Sequence, residues 1–134
     1  MGLQWLLPMM HPDSMKDTAL VESILQMFER KNPAIQEAQV NALLNRPDAR
    51  EVAGQVQCPA LLLTGEQDAW SPPSVHAEMA AAIPDSMLVV VPACGHMSMM
   101  EQPLAVTEAM RAWLQASAAG LPSQGRTAPR ATGR

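Results

Sequence analysis

The 134-residue chain is 48% apolar and 16% charged, a balance that suits one folded domain rather than a disordered polymer. Nine Lys and Arg against thirteen Asp and Glu leave a net charge of -4 with no basic stripe, which argues against nucleic acid as a partner. Its apolar stretches are broken every few residues by Pro, Asp or Gln, short of the ~20 residues that a bilayer span needs, so no membrane association is expected.

Met1 to Met10 is apolar, yet no Lys or Arg precedes that run and no small-residue cleavage site follows it. A signal peptide is therefore not expected, and the cytoplasm is the expected compartment. Trp5, Leu6, Leu7 and Met10 fit either the lining of an apolar substrate pocket or ordinary helix packing. With eleven Met, three Trp, one Phe and no Tyr, the core has to be built from Leu, Val, Ile, Ala and Met.

Residues 12–31 read as an amphipathic helix, since Leu20, Val21, Ile24, Leu25, Met27 and Phe28 recur at helical spacing opposite Lys16, Glu22, Glu29 and Arg30. Ser14 followed by Asp17 marks its start. Asn32-Pro33 opens a second helix to about Leu44, Pro47 ends it, and a short third helix over 48–53 stops at Gly54. From Cys58 the pattern changes. Ala60 to Thr64 is a short apolar run between Pro59 and Gly65, the form of a strand buried on both faces. Ser71-Pro72-Pro73 starts a helix through Ile83, Pro84-Asp85 turns the chain, and Met87 to Val91 is a second such strand. Strand, helix and strand within some thirty residues predict a right-handed crossover with two parallel strands. Pro103 opens a last helix whose apolar face is Val106, Ala109, Met110, Trp113 and Leu114.

The chain thus divides into a helical segment 1–57, a β-α-β unit with its helix over 58–116, and a tail 117–134 expected to be disordered. That tail holds Arg126, Arg130 and Arg134 and no acid, so it carries +3 and the remainder -7 for the overall -4.

Ligands of an open parallel sheet bind beyond the carboxyl ends of its strands. Two loops leave that edge: Gly65 to Pro73, which contains Asp68, and Pro92 to Met97, which contains His96. Whether the strands are neighbours, about 4.8 Å apart, or separated by one more, a carboxylate and an imidazole emerge side by side. A neutral His takes a proton from a hydroxyl only if its other ring nitrogen is held, and a buried carboxylate both holds it and stabilises the imidazolium. Asp68 suits the holder and His96 the base. The same spacing also fits a structural reading, with Asp68 capping the turn and His96 filling the loop.

The run Cys58-Pro59-Ala60-Leu61-Leu62-Leu63-Thr64-Gly65-Glu66-Gln67-Asp68, the following Pro72-Pro73, and Gly95-His96 leading to Glu101-Gln102-Pro103 resemble the C-terminal end of the α/β-hydrolase family. The similarity covers about residues 58–115, and the preceding helices resemble the lid that these enzymes place over the active site. The resemblance implies a partial α/β-hydrolase fold, with lid helices, a parallel β-α-β unit and a C-terminal helix. It implies Asp68 as triad acid, His96 as triad base and hydrolysis of an ester or similar small acyl substrate, without cofactor or metal. The family's nucleophile belongs to a Gly-x-Ser-x-Gly elbow earlier in the chain. No such motif occurs here; Ser123 with Gly125 is its nearest echo, but Leu121 stands where the first glycine belongs. The chain therefore reads as a C-terminal portion of such a hydrolase, inactive alone and completed by an N-terminal half, with self-association through an exposed strand edge. The alternative is a noncatalytic remnant or interaction module of the same fold.

The remaining candidates have plainer readings. His11 and His76 are expected at the surface. Met9-Met10-His11 and His96-Met97-Ser98-Met99-Met100 superficially resemble soft-metal clusters, but in so Met-rich a chain no metal site is expected. Two cysteines, Cys58 and Cys94, are too few for a disulfide framework or zinc site and are expected as reduced thiols. Cys94 is a nucleophile by chemistry only, because it lies too close to His96 in sequence to reach the required geometry.

Overall fold

A computed structural model describes residues 4, 6–30 and 32–120; the expectations for Trp5, Ser123 and most of the tail fall outside them. A 3-10 turn over Ser14–Lys16 precedes helix α1 (Thr18–Glu29), so the helix expected from residue 12 begins later. Asp17 is its cap: the backbone there is extended and a side-chain oxygen accepts the Leu20 N–H at 3.0 Å, while Ser14 is consumed in the turn. Helix α2 (Pro33–Leu44) starts where Asn32-Pro33 predicts, with Asn32 Oδ1 accepting the Ile35 N–H at 2.8 Å. One turn, α3 (Arg50–Ala53), leads to β1 (Ala60–Gly65), α4 (Pro73–Ala82) and β2 (Ser86–Val91). A turn the sequence reading did not anticipate, α5 (Ser98–Glu101), then precedes α6 (Pro103–Ala118), which runs two residues past the expected boundary at 116.

The two strands are parallel neighbours, registered from Ala60↔Ser86 to Gly65↔Val91. Alternation along a strand puts Leu61, Leu63, Met87, Val89 and Val91 on one face. These pack against Ala105, Ala109 and Trp113 of α6 and against Cys94, forming the first core cluster. Met110 and Leu114, expected in that interface, are exposed, since the helix turns Ala105, Ala109 and Trp113 to the sheet instead. The opposite face meets α4, where Ser86 Oγ donates to the Ala80 carbonyl at 2.8 Å. Leu62 and Thr64 are buried there, but Val90 is 41% exposed, so burial on both faces does not extend along all of β2.

A second cluster joins Leu6, Met9 and Met10 to Ile24 of α1, with Leu20, Val21, Leu25, Met97 and Met100 packed around it. Leu6 and Met10 are thus core residues rather than an open pocket wall, while Leu7, Met27 and Phe28 stand exposed. Met9 and Met10 before His11 and Met97 and Met100 after His96 fill apolar space, the use to which an unbranched, polarisable side chain is suited, while Met99 is exposed. Every residue of α2 is exposed, including Ile35, Val40, Leu43 and Leu44.

Candidate active site

Because Gly65 and Val91 are paired, both loops leave the sheet at the same edge. The first loop is closed by its own acid: Asp68 Oδ1 accepts the Trp70 and Ser71 N–H groups, each at 2.9 Å, and Thr64 Oγ1 donates to the Ser71 carbonyl at 3.1 Å. The second loop is bound to the first by a reciprocal pair, with Cys94 N–H on Gln67 Oε1 and Gln67 N–H on the Cys94 carbonyl, both 2.9 Å. Ala93 adopts a left-handed φ of 49°, a conformation that costs an L-residue about 1–2 kcal/mol. Its carbonyl is gripped by Gln102 Nε2 at 3.1 Å.

Close backbone contact sets the loops' mutual position. A Cβ on Gly65 would lie 2.2 Å from the Gly95 carbonyl oxygen, and a Cβ on Gly95 would lie 2.4 Å from that of Met9. Glycine at both positions lets β1, the His96 loop and the N-terminal segment stack backbone on backbone.

In this frame His96 Nδ1 lies 2.9 Å from Asp68 Oδ2. The Asp68 side chain is 5% exposed and that of His96 35%. Burial pushes the Asp68 carboxyl up, but the Ser71 amide, the His96 ring and the Trp70 amide together outweigh it and hold the pKa below the ordinary 3.8. An ionised carboxylate only accepts, so His96 Nδ1 is the donor in this contact, and in the neutral ring that tautomer puts the basic lone pair on Nε2. The Trp70 ring lies against the imidazole, centroids 5.3 Å apart and tilted by 44°. Asp68 therefore combines the two roles that its spacing allowed: one oxygen closes the turn and the other holds the histidine.

The other candidates do not join this pair. Cys94 is fully buried, and burial, with Glu101 and Asp68 nearby, raises its thiol to about 12, so it stays protonated and packed. Cys58 is a free, exposed thiol. His76 sits on α4 with Nδ1 3.3 Å from the Pro72 carbonyl. His11 is not the surface residue expected, for its side chain is 17% exposed and its N–H donates to Glu101 Oε2 at 2.7 Å. Ninety positions separate those two residues, so no local pattern could announce the contact. Among the described residues there is no cluster of three or more His, Cys, Asp or Glu side chains placed to hold a metal ion.

Glu101, Gln67 and Trp70 are site residues to which sequence reasoning assigned no role. Glu101 stands in the Gly95-His96 to Glu101 stretch that carries the family resemblance, and that position was the available signal.

The profile of the Ndr family matches residues 10–120, which include both loops. Over 54 residues the chain is 41% identical to a pimeloyl-(acyl-carrier protein) methyl ester esterase of Chromobacterium violaceum, a stretch covering 40% of this chain and 21% of that enzyme. The solved structure of a thermophilic esterase from Thermogutta terrifontis, with malate bound, superposes with a TM-score of 0.82 at 33% identity, covering 87% of this chain and 43% of that one. The chain spans less than half the length of either relative. Among the described residues no helix is long and apolar enough to cross a membrane.

Proposed function

We propose, for a chain that belongs to the Ndr family within the α/β-hydrolase superfamily, that it supplies the acid and base of an ester-hydrolysing site whose nucleophile comes from another segment. The observation that carries this reading is the 2.9 Å contact between a buried carboxylate and a partly exposed imidazole at the carboxyl ends of two parallel strands. In the completed site His96 Nε2 takes the proton of a serine hydroxyl as its oxygen bonds to the ester carbonyl carbon. The imidazolium, stabilised by Asp68, then returns that proton to the departing alkoxide, and water repeats the sequence to release the acid. Proton transfer of this kind contributes about 10²–10⁴-fold to rate.

Among the described residues no serine or cysteine side chain is hydrogen-bonded to the His96 ring. Both relatives named above are esterases, and each extends well beyond the region that it shares with this chain. Trp113 Nε1 is buried without an acceptor among the described residues, a cost of about 1–3 kcal/mol that a carbonyl from a further segment would remove. In this reading residues 1–57 form the lid and 58–116 the C-terminal part of the hydrolase core, whose last helix continues to Ala118 before the tail. The two free thiols suit a cytoplasmic setting.

Complementation tests it. The chain alone should neither turn over p-nitrophenyl esters nor react with a serine-directed fluorophosphonate. Adding a separately expressed N-terminal half of a related esterase, carrying the Gly-x-Ser-x-Gly elbow, should restore both, and His96→Ala should abolish turnover. Assembly without turnover would favour the noncatalytic interaction module instead. Ester hydrolysis by the chain alone, lost on changing Cys94 or Ser123, would overturn the reading.

A further inference from the structure

The two oxygens of Glu101 take three backbone donors, two from the nearby His96 loop and one from the N-terminal segment ninety positions away. Oε1 accepts the N–H groups of Gly95 at 3.1 Å and Met97 at 3.2 Å, the residues on either side of His96. Oε2 accepts the N–H of His11 at 2.7 Å. Between these, the His96 N–H donates to the Met9 carbonyl. Every amide from Gly95 to Met97 is thereby held by Glu101 or by the segment that Glu101 holds, and Met97 and Met100 pack into the Leu6, Met9, Met10 and Ile24 cluster beyond.

From this we infer that Glu101 is a positioning residue for His96, clamping the loop that carries the base to the N-terminal segment so that Nδ1 stays on Asp68. The inference rests on the Asp68–His96 pairing and deepens it: the orientation of the base depends on a carboxylate that does not touch the ring.

The chain has three histidines, so nitrogen NMR of the 15N-histidine-labelled full-length protein resolves each ring and its tautomer. Native His96 should show mainly the Nδ1–H tautomer, and Asp68→Asn should lose that bias. Glu101→Ala should lower the Nδ1–H to Nε2–H ratio about fivefold, the equivalent of one ordinary hydrogen bond, and speed amide exchange at Gly95, Met97 and His11 by about tenfold. Glu101→Gln guards against a variant that fails to fold. Its single carbonyl oxygen serves the two loop donors while its NH2 opposes the His11 N–H, so exchange should rise at His11 with a smaller rise at Gly95 and Met97. A native His96 tautomer ratio in both Glu101 variants, with the ratio altered in Asp68→Asn, would overturn the role of Glu101 and leave the pair intact. An unaltered ratio in Asp68→Asn would overturn the pair itself, and this inference with it.

Discussion

Replacing Gly65 with alanine sets a methyl group against backbone rather than against a movable side chain. The new Cβ would lie 2.2 Å from the Gly95 oxygen, 2.3 Å from the Cys94 oxygen and 2.6 Å from the Cys94 carbonyl carbon, where ordinary contact begins at 3.4 Å. The backbone of Gly65 is not left-handed, so the cost is steric and the His96 loop has to withdraw by about 1 Å. Overpacking of this order costs about 1–3 kcal/mol. At about 3–5 °C per kcal/mol for a chain of this length, the melting midpoint should fall by roughly 3–15 °C. The same withdrawal lengthens the 2.9 Å Gln67–Cys94 pair and the 2.9 Å Asp68–His96 contact, so the His96 nitrogen signals should shift along with the midpoint. Gly54→Ala is the matched control: its nearest new neighbour is the Ala82 oxygen at 3.8 Å and its φ of -67° suits any residue. Less freedom in the unfolded chain should make that variant neutral or more stable by about 0.4–1 kcal/mol. Circular-dichroism melts of the three proteins decide the matter. Equal midpoints for Gly65→Ala and Gly54→Ala would refute the close-approach argument.

The depressed pKa of Asp68 has a defined sign: its contribution to stability is complete above the ordinary value of 3.8 and disappears as pH falls through that value and below. The native urea midpoint should therefore decline from about pH 5 downward more steeply than that of Asp68→Asn, and parallel profiles would contradict the pairing. Each strand of the two-stranded sheet has one edge without a partner strand among the described residues, and unpaired edges template association. Sedimentation of the purified chain should show species heavier than the 14.4 kDa monomer, with the share growing with concentration; a monomer at every concentration would count against an open edge. Deleting residues 120–134, whose composition is poor in apolar side chains, should leave the melting midpoint within about 1 °C, whereas a drop of several degrees would show that the tail packs.

Much of the architecture was legible because its signals are local. Proline set φ for the first turns of the helices beginning at Pro33, Pro73 and Pro103, Asn32 capped the first of these, and apolar runs bounded by turn residues marked both strands within one residue of their ends. The order of those elements already implied parallel strands, and parallel neighbours in turn place Asp68 and His96 at one edge. The alternatives that the sequence left open needed tertiary structure. Whether Asp68 caps a turn or holds an imidazole depends on the direction of its second oxygen, and the structure gives it both tasks. Which apolar residues become core depends on what lies opposite them, so Leu6 and Met10 are buried by Ile24 while Met110 and Leu114 of a comparably apolar helix remain exposed. Glu101 is the clearest case, because its meaning lies in three backbone donors up to ninety positions away. Periodicity reports the face that a residue presents along its own element, but burial and hydrogen bonding are properties of pairs, and a pair that distant in sequence leaves no periodic trace.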